Sequence, residues 1–288
     1  MDILLALKAT VLGIVEGFTE FLPVSSTGHL IIFSNLLHFA SNADEQNFSN
    51  MFNMVIQLGA ILAVVVLYWK KIWHSIVTLF PNEKEGRTFQ KSGLYFWLMI
   101  LISCVPAAAI GLPFDDLIEE KLFKPVVVAV ALFIGGLWMI YAENKVKVSH
   151  DRSLDDTLVT PKMALVVGLF QCLSIIPGMS RSASTIIGGW FAGMSSVAGA
   201  EYSFFLAIPV MFGQSLLHML KMGAVLTTPQ WIALGIGFVV SFIVALAVIG
   251  SFIAYLQKKP MKVFAIYRII FAFIVLGAGA LGLFKAVN

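Results

Sequence analysis

Charge is what this 288-residue chain has least of: Asp, Glu, Lys and Arg together make up 12% of it, against 59% hydrophobic residues. A soluble domain carries about 25% charged residues because its outside must face water. Half that share excludes an ordinary water-soluble fold and sets lipid against the outer surface. Cysteine is equally scarce. Cys104 and Cys172 lie far apart inside apolar stretches, which excludes a disulfide scaffold or a thiolate metal cluster and leaves two small buried hydrophobes. The net charge is +3, and the basic residues sit between apolar runs, so no nucleic-acid partner is expected. No positive n-region with a small-residue cleavage site opens the sequence, and no removable signal peptide is expected.

Long apolar runs are what the chain does have. Crossing about 30 Å of hydrocarbon takes roughly 20 apolar residues in a helix. Six segments meet that length, near Phe52–Trp69, Leu94–Leu112, Val126–Tyr141, Tyr202–Leu220, Trp231–Leu256 and Val263–Phe284. Two further apolar stretches are interrupted. Ala9–Leu37 is broken at Pro23 and holds Glu16, Glu20, Ser25, Ser26 and His29. Met163–Met194 is broken at Pro177-Gly178 and holds Gln171, Ser180, Arg181, Ser182 and Thr185. Half-helices flanking a polar, proline-containing middle read as re-entrant segments, because broken backbone at membrane depth must line a cavity or pack in protein.

The two broken stretches also resemble each other. Gly13-Ile-Val-Glu16 matches Gly168-Leu-Phe-Gln171, and Pro23 with Ser26 matches Pro177 with Ser180. Each is followed by three spans, an odd number, so the halves 1–150 and 151–288 are expected in opposite orientations. Inverted repeats of this kind place their site where discontinuous helices meet near the midplane. The expected fold class is an all-α polytopic membrane protein: six transmembrane helices plus two re-entrant helical segments in two inverted repeats. The loop charges fit. Lys70, Lys71, Lys84, Arg87 and Lys91, then Lys145, Lys147, Arg152 and Lys162, then Lys258, Lys259 and Lys262 all fall on one side of this arrangement. The opposite loops hold Lys121, Lys124 and Lys221 beside Asp115, Asp116, Glu119 and Glu120. The positive-inside bias makes the first side cytoplasmic and puts both termini outside.

Chemistry concentrates in the two interruptions, since ionisable groups in apolar stretches are costly and mark functional sites by default. Glu16 and Glu20 are one helical turn apart and share a face. Two such carboxylates repel unless a cation or a shared proton stands between them. A divalent cation is one resolution, completed by phosphate oxygens; a neutral glutamate buried in helix packing is the other. Val24-Ser-Ser-Thr-Gly-His29 supplies hydroxyls, an imidazole and backbone N–H donors, the ingredients of an activated nucleophile. The same residues serve equally well as helix caps. Pro177-Gly-Met-Ser-Arg-Ser-Ala-Ser-Thr185 sets a kinked loop at a helix start, which offers free N–H groups and a positive dipole end to an anion. Arg181 adds a guanidinium matched to phosphate oxygens, or else a salt bridge to Glu16 or Glu20. Arg268, alone in the last span, reads as a structural residue that snorkels toward the cytoplasmic end.

The runs Glu16-Gly-Phe-Thr-Glu20-Phe-Leu-Pro-Val-Ser-Ser-Thr-Gly-His29 and Pro177-Gly-Met-Ser-Arg-Ser-Ala-Ser-Thr185 closely resemble the two signature motifs of the bacterial undecaprenyl-diphosphatases of the bacitracin-resistance type. The resemblance covers the full length and shows no departure within either motif. It implies hydrolysis of a prenyl diphosphate lipid, undecaprenyl diphosphate, to undecaprenyl phosphate and inorganic phosphate with Mg2+ or Ca2+, which recycles the carrier lipid for cell-wall synthesis. Under it, the glutamate pair falls on Glu16 and Glu20, the nucleophilic serine on Ser26 and the histidine on His29. Ser180 and Arg181 become phosphate binders, with Ser182 and Thr185 in the same loop and Ser25 and Thr27 beside the nucleophile. It also implies a multi-pass protein of the bacterial inner membrane, a site opening to the extracytoplasmic side, and a homodimer.

Helical spacing puts His29 on the same face as Ser26, three residues on, as its expected base. Ser25 is the alternative serine; His29 or an activated water is the alternative nucleophile. The type 2 phosphatidate phosphatases share echoes of Thr27-Gly28-His29 and Ser180-Arg181, but where that family carries its following histidine and aspartate this chain has Ile187 and Phe191. A lipid flippase or anion transporter built on the same cradle is the rival from another class. The Ser-Ser-Thr-Gly-His run beside two carboxylates favours an enzyme, because binding alone needs neither nucleophile nor base.

Overall fold

The structure is a computed structural model that describes residues 2–40, 43–82, 86–146, 149, 153–222 and 226–281. Lys84, Lys147, Arg152, Phe284 and the half boundary at residue 150 lie outside the described residues. The described chain is helical throughout: α1 (Ile3–Thr19), α2 (Ser26–Leu36), α3 (Ala43–Leu67), α4 (Trp69–Val77), α5 (Gly93–Leu122), α6 (Pro125–Lys145), α7 (Pro161–Gln171), α8 (Arg181–Phe191), α9 (Ser196–Met222), α10 (Thr228–Leu256) and α11 (Lys262–Ala280). Six of these, α3, α5, α6, α9, α10 and α11, are long and apolar enough to cross a bilayer. Large apolar side chains such as Leu101, Val105, Ile134, Ile243 and Phe273 stay exposed on them, as lipid-facing surface requires. The protein is an all-α, multi-pass membrane protein.

Local chemistry sets the helix starts. Ser92 caps α5 by accepting from Tyr95 N, and Thr160 caps α7 with Pro161 in the first turn. Thr227 and Gln230 form a reciprocal capping box on α10, and Pro125 opens α6. Such caps satisfy N–H groups that have no partner in their own helix. The spans start earlier than hydropathy suggests. α9 begins at Ser196 through a small and polar stretch including Glu201, which an apolar count misses. That stretch is buried inside the protein, so it need not suit lipid.

Each half carries a broken helix pair, α1–α2 or α7–α8, followed by three candidate spans, with the short α4 added in the first half. Contacts cross between halves, with α1 lying against α10 and α7 against α5. Small residues permit the close crossing that drives helix association in lipid. A Cβ at Gly13 would stand 2.8 Å from Gly237 O, and one at Gly17 would stand 2.5 Å from Ser241 O. α6 lies along α11.

Contacts tie segments of the basic loops to neighbouring elements. Lys71, on α4, pairs with Asp155 at 2.6 Å. The Leu154 N–H beside it donates to buried Glu201 Oε2 at 2.8 Å. In the turn between α10 and α11, Met261 N–H donates to Glu143 Oε1 at 2.6 Å, near the end of α6.

Candidate active site

Both interruptions end in a serine that caps the following helix, although the second first passes through a 3-10 turn at Cys172–Ile175. α1 ends at Thr19, the chain turns through Pro23, and Ser25 starts α2 with its side chain accepting from Gly28 N. α7 ends at Gln171, the chain turns through Pro177-Gly178, and Ser180 starts α8 by accepting from Ala183 N. Ser25 and Ser180 have φ of 71° and 70°, a left-handed backbone that costs a non-glycine residue on the order of 1–3 kcal/mol. Such strain persists only where surrounding contacts over-determine the backbone, and it clusters at working sites.

Those contacts join the loops to each other. Ser182 Oγ, in the first turn of α8, donates to Leu22 O at 2.8 Å and lies 3.0 Å from Ser180 Oγ. Arg181 Nη2 meets Glu20 Oε1 at 2.8 Å. The turn ahead of α2 and the start of α8 are therefore neighbours.

Glu20 is the hinge of the cluster. Its Oε2 accepts from Ser26 Oγ at 2.5 Å while Arg181 holds its Oε1. Arg181 is itself oriented by Ser203 on α9, with Nη1 donating to Ser203 O at 2.9 Å and lying 3.2 Å from Ser203 Oγ. Ser203 Oγ also lies 2.6 Å from Thr185 Oγ1, and Thr185 donates to Arg181 O at 2.8 Å. Phe21 packs against the guanidinium. Two buried polar groups stand out: among the described residues Arg181 Nε has no hydrogen-bond partner, and the Glu16 carboxylate faces that of Glu20.

His29 is placed differently from the sequence expectation. Its Nδ1 is 2.8 Å from Ser25 O, and its Nε2 is 2.7 Å from Tyr267 Oη on α11. Its ring stacks on Phe271 at 4.0 Å. No hydrogen bond joins His29 to Ser26; the group within reach of Ser26 is Glu20. Helical spacing put the two side chains on one face but did not decide which way the imidazole turned. Thr27 is half-buried and makes no side-chain hydrogen bond among the described residues. Arg268 does not snorkel: it is fully buried and donates to Gly178 O and Met179 O.

The donor set fits a hard divalent cation. Glu16 and Glu20 are both buried and one turn apart on α1, and an unpartnered buried carboxylate is costly without compensation. Among the described residues no group of three or more His, Cys, Asp or Glu side chains could hold a metal by itself. A cation on these two glutamates must complete its shell with other oxygens, as Mg2+ habitually does with phosphates. Ser203, Tyr267 and Arg268 are the residues that motif reading missed. Their signal was present in polar or ionisable side chains inside apolar spans.

The family described as "Bacitracin resistance protein BacA" matches residues 9–274. A protein of Ruminiclostridium cellulolyticum named undecaprenyl-diphosphatase is 58% identical over 287 residues, covering 99% of this chain and 100% of its own. One of the same name from Clostridium tetani is 50% identical over 286 residues, covering 99% of each chain. A Clostridioides difficile protein named undecaprenyl-diphosphatase 2 is 45% identical, covering 94% of this chain and 93% of its own. With so nearly complete a match, the chain belongs to the BacA bacitracin-resistance family.

Proposed function

We propose that this protein hydrolyses undecaprenyl diphosphate to undecaprenyl phosphate and inorganic phosphate within the membrane, recycling the carrier lipid for cell-wall synthesis and thereby conferring bacitracin resistance. The observation that carries this reading is the buried chain Ser26–Glu20–Arg181, a hydroxyl donating to a carboxylate that a guanidinium holds in place. A serine hydroxyl needs an adjacent base to attack, and Glu20 is that base here. The full-length relatives named undecaprenyl-diphosphatase supply the substrate class. A flippase or transporter role has no support from these relatives.

The terminal phosphate sits at the N-termini of α2 and α8, against Arg181 Nε and the free N–H groups. Ser26 Oγ attacks the terminal phosphorus and passes its proton to Glu20. The bond from that phosphorus to the bridging oxygen breaks, and undecaprenyl phosphate departs. Water then attacks the phosphoserine, releasing inorganic phosphate and restoring the Ser26 hydroxyl. Arg181 and the loop N–H groups offset charge on the equatorial oxygens, where such transfers need it most. Ser180 and Ser182 set the loop that carries Arg181, Thr185 braces Arg181 through Ser203, and Ser25 caps the nucleophile's helix. Glu16 and Glu20 would hold Mg2+ or Ca2+, which supplies neutralising charge for the diphosphate. His29 holds the strained Ser25 turn through its carbonyl.

The halves form inverted repeats with α1–α2 and α7–α8 as re-entrant segments, a reading supported by the matching loop geometry at Ser25 and Ser180. The basic residues of alternate loops support a cytoplasmic face there and a site opening on the other side of the bacterial inner membrane. The working unit is a homodimer, as the family resemblance implies.

The test is phosphate release from a C15 prenyl diphosphate by purified protein in detergent with Mg2+, followed by acid quench. Release together with an acid-stable phosphoserine at Ser26 is expected. No release from a monodisperse preparation would sink the reading. An acid-labile phosphohistidine at His29, with Ser26→Ala still turning over, would move the nucleophile.

A further inference from the structure

We infer that Arg268 on α11 is a positioning residue for the phosphate-binding loop, held in place by the absence of a side chain at Gly135 on α6. The side chain is fully buried, and among the described residues no carboxylate pairs with it. A lone cation at membrane depth is costly, so its contacts need a reason. Nη2 donates to Gly178 O at 2.8 Å and to Met179 O at 3.0 Å. These carbonyls belong to the two residues just before Ser180, whose left-handed φ starts α8 and aims Arg181. Gly178 is itself at φ +100°, with Val128 O 2.5 Å from where a Cβ would stand. The turn therefore runs deep against α6, where water cannot satisfy its carbonyls, and the two N–H bonds of Nη2 take both of them.

The neighbouring residue reinforces the assignment. Tyr267 reaches His29 in the first broken segment while Arg268 reaches the second, so consecutive residues of α11 hold both halves of the site. Gly135 makes room for this. A Cβ built there would collide with Arg268 Nη2 and stand 2.8 Å from Cζ. The guanidinium would have to leave the two carbonyls, whereas the α6 backbone would gain a better helix former.

This inference rests on the proposed diphosphatase reading, and wild-type phosphate release from the C15 prenyl diphosphate tests that reading first. With wild type active, Gly135→Ala and Arg268→Gln are each expected to lower kcat about ten- to a hundredfold, the scale of a misplaced transition-state contact, with KM little changed. Gly135→Ala should keep the wild-type elution volume and lower Tm by no more than Arg268→Gln does, because both free the same buried carbonyls. Arg268→Lys should recover part of the loss, because an ammonium still donates to carbonyls. Wild-type kcat in Gly135→Ala would overturn the inference. So would an Arg268→Gln loss that follows Tm alone, or an Arg268→Lys no better than Arg268→Gln.

Discussion

Arg181 Nη2 meets Glu20 Oε1 at 2.8 Å although 161 positions separate them in sequence, and the other oxygen of that carboxylate takes the Ser26 hydroxyl. The second loop thus orients the carboxylate that meets the serine of the first. Because the three groups act as a unit, Ser26→Ala and Glu20→Gln are each expected to lower kcat by about two to four orders of magnitude. The double variant should be little worse than either single one. Multiplicative losses in the double variant would show that the two side chains act independently.

Glu16 lies buried beside Glu20 on α1, and glutamine keeps its shape, so Glu16→Gln should not unfold the protein. In chelator the Tm should stay within a few degrees of wild type, because a buried carboxyl without a cation sheds its charge by taking up a proton. The same substitution should shift the activity-versus-Mg2+ curve to higher concentration. A lower Tm together with unchanged metal dependence would assign Glu16 to packing.

Ser25 combines a helix cap with left-handed backbone. Ser25→Ala loses the cap and keeps the strain, so it should cost about 1 kcal/mol, while Ser25→Gly relieves the strain and should cost only a few tenths. Thermal melts in detergent should rank glycine above alanine. The reverse order would mean the turn is not strained.

Topology is open to thiol labelling. In a cysteine-free background, single cysteines replacing Lys70 or Lys258 should resist an impermeant maleimide added to intact spheroplasts. One replacing Lys121 should react. Labelling of all three from outside would exclude the inverted arrangement.

The sequence by itself determined the solvent, the spans and where polar groups interrupt them. Too little charge for a water-facing surface, six apolar runs of bilayer length and two interrupted ones are local properties, and helices in lipid must satisfy their own backbone. Glu16, Glu20, Ser26 and Arg181 were legible for the same reason, as costly groups in apolar surroundings. Tertiary structure alone decided who partners whom. Helical periodicity placed His29 on the face of Ser26, but the turn of its ring depended on Tyr267, Phe271 and the Ser25 carbonyl, two of them contributed by the last helix. Arg268 looked like a snorkelling end residue until the Gly178 and Met179 carbonyls came to lie against it. Spacing along a chain fixes which side chains share a face; hydrogen bonds between distant helices depend on how those helices cross, which no local pattern encodes.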